Sequence, residues 1–151
     1  LIELLIVIAL LGALAVGLLA ALDPFEQFKK GSDTGVRNTV SEIHGAIIRY
    51  FAIRGTMPWT GNYSGAANSP SFTNVLSNII NTGELKTDFF KLAGSQLSSI
   101  YINGTTESIT VCFQPKSKSF RSDPNTKFNL SGGDDANCPN PNSNTCYWCV
   151  R

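Results

Sequence analysis

The chain begins with a long run of apolar positions, from Leu4 to Leu22, that contains no hydrogen-bonding side chain. A single acid, Glu3, precedes the run. A helix over these residues is about 29 Å long at 1.5 Å per residue, which is enough to cross the hydrocarbon core of a bilayer. Because the run is apolar on every side, it predicts a helix that lies in lipid or among other helices.

The pattern becomes amphipathic between Phe25 and Arg54. Apolar residues recur there at spacings of three and four, which predicts a helix with one buried stripe: Val36, Val40, Ile43, Ile47 and Tyr50. We assign the charged residues of this segment, including Asp33 and Arg37, to the other faces. Asp23 followed by Pro24 is typical of a helix start, and Gly55 is typical of a helix end. The two segments together predict one bipartite helix of about 50 residues.

A kink or local melting of this helix is predicted near the junction of its two halves. Gly12 and Gly17 each weaken a helix by about 1 kcal/mol relative to Ala. Pro24 lacks an N–H donor, and its ring clashes with the preceding turn. We therefore expect the helix to bend or melt between Gly17 and Pro24. Close packing of neighbouring helices explains the two glycines equally well.

The second half of the chain carries strand signals. Residues 56–96 predict a connecting loop with one short helix, Ser71 to Ile80. Two β-rich segments then flank Asn103-Gly104, a strong turn pair, and predict an antiparallel hairpin. A third strand is expected over Lys118 to Arg121 and a short fourth over Cys146 to Val150.

These elements predict an α+β fold in which a small antiparallel sheet packs on the amphipathic half of the long helix. Four regions follow from this arrangement. They are a hydrophobic transmembrane or filament-core helix over 1–24, the amphipathic half of the helix over 25–55, the connecting loop over 56–96, and the sheet with a stapled carboxyl-terminal loop over 97–151.

All four cysteines lie in the last part of the chain: Cys112, Cys138, Cys146 and Cys149. An even number of cysteines in a loop-rich region beyond a membrane segment predicts two disulfides. Zinc binding and thioredoxin-like chemistry are alternatives, but a closed zinc site usually has two close cysteine pairs and a redox pair usually opens a helix. Three pairings are open. Strand residues three apart point to opposite faces, which favours Cys112 with Cys149 and Cys138 with Cys146.

Composition argues against catalysis and against nucleic-acid binding. The net charge is only +1, and the chain has no phosphate-binding loop and no serine nucleophile motif. The one histidine, His44, has no ligand partner four residues away. Ser131 to Asn137 offers oxygen ligands for calcium but lacks the spacing of a calcium loop, so calcium stays an alternative. We expect a protein that is not an enzyme, with no metal site and no cofactor.

The opening residues, Leu1-Ile2-Glu3-Leu4-Leu5-Ile6-Val7-Ile8-Ala9, resemble the amino-terminal signature of type IV pilins and of type II secretion pseudopilins. Looser similarity continues through Leu22 to Gln27 and at Met57-Pro58-Trp59. In that family prepilin peptidase removes a leader, and the mature chain opens Phe-Thr-Leu-Ile-Glu. By this resemblance Glu3 corresponds to the family's fifth residue, and we expect two mature residues to precede Leu1.

The resemblance implies a major pilin, a structural subunit of an extracellular filament. Such a subunit waits in the inner membrane, passes to the pilus assembly machinery and polymerises with its own copies through the amino-terminal helix. Glu3 would then meet the positively charged amino terminus of a neighbour. A charged acid within hydrocarbon is unfavourable by roughly 2.5–3.5 kcal/mol, so its pairing would favour assembly. For Glu3, the alternative is an acid whose side chain reaches the lipid headgroups. For the chain, the alternatives are a pseudopilin and a membrane-anchored extracellular binding domain.

Overall fold

The computed structural model describes all 151 residues as two long helices followed by a small head. The long helices are α1 (Ile2–Ala21) and α2 (Pro24–Arg54). The remaining elements follow in chain order: β1 (Tyr63–Ala66), α3 (Pro70–Asn81), α4 (Phe89–Ala93), a 3₁₀ helix (Gly94–Ser99), β2 (Ile100–Gly104), β3 (Ile109–Phe113), α5 (Lys118–Arg121) and β4 (Trp148–Val150).

The two long helices are separated by two residues with extended backbone, Leu22 and Asp23. The Asp23 carboxylate accepts a hydrogen bond from the Glu26 N–H at 3.2 Å, and Pro24 occupies the first turn of α2, where its missing N–H leaves no gap in the ladder. The predicted helix start at Asp23-Pro24 is confirmed. Gly12 and Gly17 lie inside α1, which continues through both of them.

The sheet has the order β1-β2-β3-β4, with every neighbouring pair antiparallel. The predicted hairpin of β2 and β3 is present, but the predicted turn at Asn103-Gly104 is wrong. Gly104 pairs with Ile109, and the turn is closed one step later by Thr105, whose N–H donates to the Ser108 carbonyl at 2.8 Å. The strand continues because β1 pairs with it, and the Ser64 hydroxyl donates to Asn103 Oδ1 at 2.8 Å.

The hydrophobic core lies between α2 and one face of the sheet. The predicted stripe is buried except for Tyr50, which is partly exposed. Alternate residues of the two central strands face it: Ile100, Ile102, Ile109, Val111 and Phe113. Helix α3 adds Phe72, Leu76 and Ile79. The helix predicted over Ser71 to Ile80 and the α+β fold as a whole are confirmed.

Two strand assignments from the sequence are wrong. Lys118 to Arg121, expected as a strand, forms the helical turn α5, because the Ser117 hydroxyl caps it by accepting from the Phe120 N–H at 3.3 Å. Strand β1 lies within a segment that the sequence assigns to loop. Its residues, Tyr-Ser-Gly-Ala, together have a weak preference for strands. The hydrogen-bonded pairing with β2 stabilises the extended backbone instead.

The carboxyl-terminal loop covers the other face of the sheet. Phe128 packs there with Cys112 and Cys149, and its backbone pairs with Tyr147. Cys112 and Cys149 are directly opposite each other on β3 and β4 and form one disulfide; Cys138 and Cys146 form the second. These are the two pairings that strand geometry favours.

Candidate assembly surface

Helix α1 has none of its 20 residues buried against the rest of the chain. Its mean hydropathy is 2.9, and by length and composition it can cross a membrane. The exposed fraction of its large side chains ranges from 51% at Val7 to 75% at Ile2. A soluble monomer rarely presents a continuous apolar area of this size, so α1 must be covered by lipid or by protein.

Glu3 lies in the first turn of α1 and is the one charged side chain of that helix. Its carboxylate forms no ion pair and no hydrogen bond with another residue, and its side chain is exposed. The amino end of a helix favours negative charge, which explains the position within α1 but supplies no full counter-charge. In an apolar environment this carboxylate requires a partner from outside the chain or a proton.

The apolar surface continues past the helix break. Leu22, Phe25 and Phe28 are 59%, 76% and 77% exposed. Phe25 precedes the buried Ile43 by about five helical turns, so it lies on the side of α2 that packs on the sheet. The head contacts Glu26, which lies between them, but it leaves both phenylalanines uncovered. We call α1 together with Leu22, Phe25 and Phe28 the assembly surface.

Two acids of α2, Glu26 and Asp33, fix the head on the helix. Asp33, which is 1% exposed, accepts hydrogen bonds from the backbone N–H groups of Lys116 and Ser117, at 3.0 and 2.7 Å. Glu26 accepts one from the N–H of Lys118. The assignment of Asp33 to a face other than the buried stripe is therefore wrong, because the segment that buries it is remote in sequence. The pattern of apolar positions does not reveal a buried acid that accepts hydrogen bonds from remote backbone N–H groups.

Two arginines fix other parts of α2. Arg49 donates from Nε to Glu84 Oε2 at 3.0 Å and from Nη2 to the Glu84 carbonyl at 2.8 Å. Arg37, which we expected on a solvated face, places its guanidinium 5.0 Å from the ring centroid of Trp148. Both contacts join the helix to the head, so the head is held along the length of α2 that it covers.

The remaining residues that the sequence singles out lie in the head or on the part of α2 that the head covers, away from the assembly surface. The two disulfides staple the carboxyl-terminal loop. In the loop from Ser131 to Asn137, the Oδ1 atom of Asp134 lies 3.5 Å from Nη2 of Arg151 and 3.7 Å from Nζ of Lys127. His44 is half-buried in α2, and burial lowers the pKa of its imidazole from the ordinary value of 6.5. Its Nε2 atom is buried and has no hydrogen-bond partner.

Comparison of the chain with protein-family models, with curated proteins and with solved structures gave no match. The opening residues and the geometry of the assembly surface are therefore the features that indicate a function.

Proposed function

We propose that this chain is a type IV pilin, a structural subunit that polymerises through its amino-terminal helix into an extracellular filament. The observation that carries the proposal is the exposed apolar helix α1, with the unpaired Glu3 at its end, joined to a head whose core contains no residue of α1. The resemblance of the opening residues to the pilin signature supports the same function.

In the proposed function, α1 occupies two successive apolar environments. Twelve of its residues are large apolar side chains at least half exposed. Full burial of one such side chain is favourable by about 1.5–3 kcal/mol, and these side chains are 51–75% exposed, so the helix would gain on the order of 10–20 kcal/mol by leaving water. Lipid provides that environment for a newly made subunit. A bundle of α1 helices from neighbouring copies provides it for a subunit outside the membrane, because a helix apolar on all sides can be surrounded by others.

Glu3 would connect the two environments. In the membrane its charge has no partner within the chain, whereas in a bundle of copies it can meet the positive amino terminus of an adjacent subunit. The pairing removes an unfavourable charge from the apolar interior, so it favours the assembled state and fixes the axial offset of neighbours. We propose homopolymer formation as the main interaction, with prepilin peptidase and the pilus assembly machinery as transient partners.

The two disulfides are consistent with a head that folds outside the cytoplasm, since disulfides persist in oxidising compartments. We propose that the subunit is held in the inner membrane before assembly and lies on the cell surface afterwards. The proposed role is structural and not enzymatic. A pseudopilin would use the same surface for a short filament confined to the envelope.

Substitution of Glu3 tests this function. Glu3→Ala should leave the chain in the membrane fraction and sharply lower the yield of filaments seen by electron microscopy. The matched control is Glu42→Ala, which removes an exposed acid from α2 and should assemble normally. Normal filament yield from Glu3→Ala would contradict the proposed role. Wild-type filaments confined to the envelope would favour the pseudopilin, and a wild-type chain that forms no filament would favour an anchored binding domain.

A further inference from the structure

A cavity of about 460 Å³ lies between the segment that follows α2 and the turn that joins β2 to β3. The cavity is open to solvent, and its volume is within the range of small-molecule sites, roughly 300–1,000 Å³. It is lined by Gly55, Thr56, Met57, Trp59, Thr60, Gly61 and Thr106. Nothing in the assembly surface or the disulfide-stapled loop contributes to it.

The indole of Trp59 is held in a fixed orientation at this cavity. Its Nε1–H donates to the Thr105 carbonyl at 2.9 Å. The ring lies against Gly104, where a Cβ atom would be 2.4 Å from Trp59 Cζ2. Tyr63 adds an aromatic contact, with the ring centroids 6.2 Å apart. The cavity therefore has a rigid aromatic wall, which binds a ligand without the entropic penalty of ordering a mobile side chain.

The polar groups of the cavity are hydroxyls. Thr56, Thr60 and Thr106 line it, and none of their hydroxyls hydrogen-bonds to another residue, in contrast to the adjacent Thr105, whose hydroxyl pairs with that of Ser108 at 2.8 Å. A hydroxyl both donates and accepts, so three of them can satisfy a ligand that carries hydroxyls of its own. No ionisable side chain lines the cavity.

We propose that this cavity binds a neutral saccharide. An anionic or cationic ligand would find no counter-charge here, and a purely apolar ligand would leave the threonine hydroxyls without partners. A sugar has an apolar C–H face that can pack on the negative face of the indole, and hydroxyls that can bond to the threonines and to exposed backbone at Gly55 and Gly61. The combination of one fixed aromatic ring, three uncommitted hydroxyls and no charge matches that chemistry.

The position of the cavity argues for a ligand outside the membrane that holds α1. The cavity follows the carboxyl end of α2, whose 31 residues span about 46 Å from the break at Asp23. A lipid headgroup of that membrane would lie near the opposite end of α2. The saccharide site does not depend on polymer formation, and it would be present on an anchored monomer as well as on a filament.

Titration calorimetry on the full chain tests the proposal. The chain is held in lipid nanodiscs because sugar-based detergents would compete for the cavity. The probes are neutral glucose, galactose, mannose and N-acetylhexosamine oligosaccharides, with trigalacturonic acid as the charged comparison. We expect saturable binding of at least one neutral oligosaccharide and weaker binding of the acid. If no neutral oligosaccharide binds at concentrations up to about 10 mM, which corresponds to a binding free energy of roughly 3 kcal/mol, the proposal is overturned. Equal or tighter binding of trigalacturonic acid would also overturn it.

Variants locate the site. Trp59→Ala should abolish binding, whereas Trp59→Phe, which keeps an aromatic ring, should retain part of it. Thr60→Val and Thr106→Val should each weaken binding about two- to tenfold, the equivalent of one hydrogen bond. The control is Thr34→Val, about 30 Å along α2 from Arg54, which should bind normally. Full binding by Trp59→Ala with an unchanged circular dichroism spectrum would show that the cavity is not the site.

Discussion

The carboxylate of Asp33 accepts hydrogen bonds from the backbone N–H groups of Lys116 and Ser117, which follow it by 83 and 84 residues. The two oxygens lie 2.7–3.0 Å from these nitrogens. This contact attaches the middle of α2 to the segment that leaves β3, and it stabilises a buried charge with backbone dipoles.

Removal of this carboxylate should destabilise the head. Asp33→Ala leaves the part-buried N–H of Lys116 and the buried N–H of Ser117 unpaired. Since hydrogen bonds to charged groups are worth about 1.5–3 kcal/mol each, we expect a loss of about 3–5 kcal/mol. Asp33→Asn keeps one acceptor oxygen and should lose about half as much. Chemical unfolding followed by near-ultraviolet circular dichroism measures both. Glu42→Ala, an exposed acid on the same helix, should change stability by less than about 0.5 kcal/mol. Equal effects of Asp33→Ala and Glu42→Ala would contradict this account.

The two disulfides should differ in their contribution to stability. The bond between Cys112 and Cys149 closes a span of 37 residues and the bond between Cys138 and Cys146 a span of 8. Chain entropy assigns roughly 4 kcal/mol to the longer span and roughly 2.5 kcal/mol to the shorter one. Paired serine substitutions, compared by denaturant unfolding, should therefore show the larger loss for Cys112 and Cys149.

Proteolysis gives an independent test of the longer span. Cys149→Ser should loosen the carboxyl-terminal loop and accelerate cleavage after residue 121, as measured by mass spectrometry of timed digests. Cys138→Ser is the comparison, because it opens only the shorter loop and should expose less of the chain. Unchanged resistance of Cys149→Ser would show that this bond does not restrain the loop.

The exposed phenylalanines of the assembly surface should matter for polymer formation and not for folding. Phe25→Ser with Phe28→Ser removes two side chains that are 76% and 77% exposed, so the unfolding midpoint of the head should not change. If neighbouring copies cover them, filament yield should fall while membrane insertion persists. Leu92→Ser, a head residue 69% exposed, is the control and should assemble normally. Filament yield at the wild-type level in the double variant would remove Phe25 and Phe28 from the assembly surface.

Acidification should destabilise the head through His44. Burial lowers the pKa of its imidazole below 6.5, so the unfolded chain takes up this proton at a higher pH than the folded chain does. The free energy of unfolding should therefore fall as the pH drops below about 6.5, and this contribution should be constant above that pH. Thermal unfolding between pH 5 and 7 measures it, with His44→Gln as the comparison. An identical pH profile in the two proteins would exclude His44 as the cause.

Elements specified by neighbouring residues were predictable. The apolar run, the buried stripe of α2 and its start at Asp23-Pro24 all depend on contacts within about four positions, which the residue order displays directly. The helix α3 and the hairpin of β2 and β3 belong to the same class. Strand geometry also excluded a bond between Cys146 and Cys149, which left two of the three pairings open. The choice between those two depends on the register of β3 with β4, which places Cys112 opposite Cys149.

Elements specified by distant partners were not predictable. Strand β1 exists because it pairs with β2, about 40 residues later, and the same pairing holds Asn103-Gly104 in a strand despite its preference for turns. Lys118 to Arg121 forms a helical turn that Ser117 caps locally. Its start is held on α2 by two remote acids, because Asp33 accepts from the N–H groups of Lys116 and Ser117 and Glu26 accepts from that of Lys118. The cavity beside Trp59 unites two segments that are separate in the sequence.

The sequence by itself determined that the first helix is apolar on all sides with one acid at its end, because hydrophobicity and helix period are properties of consecutive residues. Only the tertiary structure decided that the head stops short of this helix, leaving Phe25 and Phe28 exposed while it buries Asp33 on the same side of α2. Remote segments of the chain cover some residues of a helix stripe and not others. Their position depends on the packing of the whole core, which the order of neighbouring residues does not show.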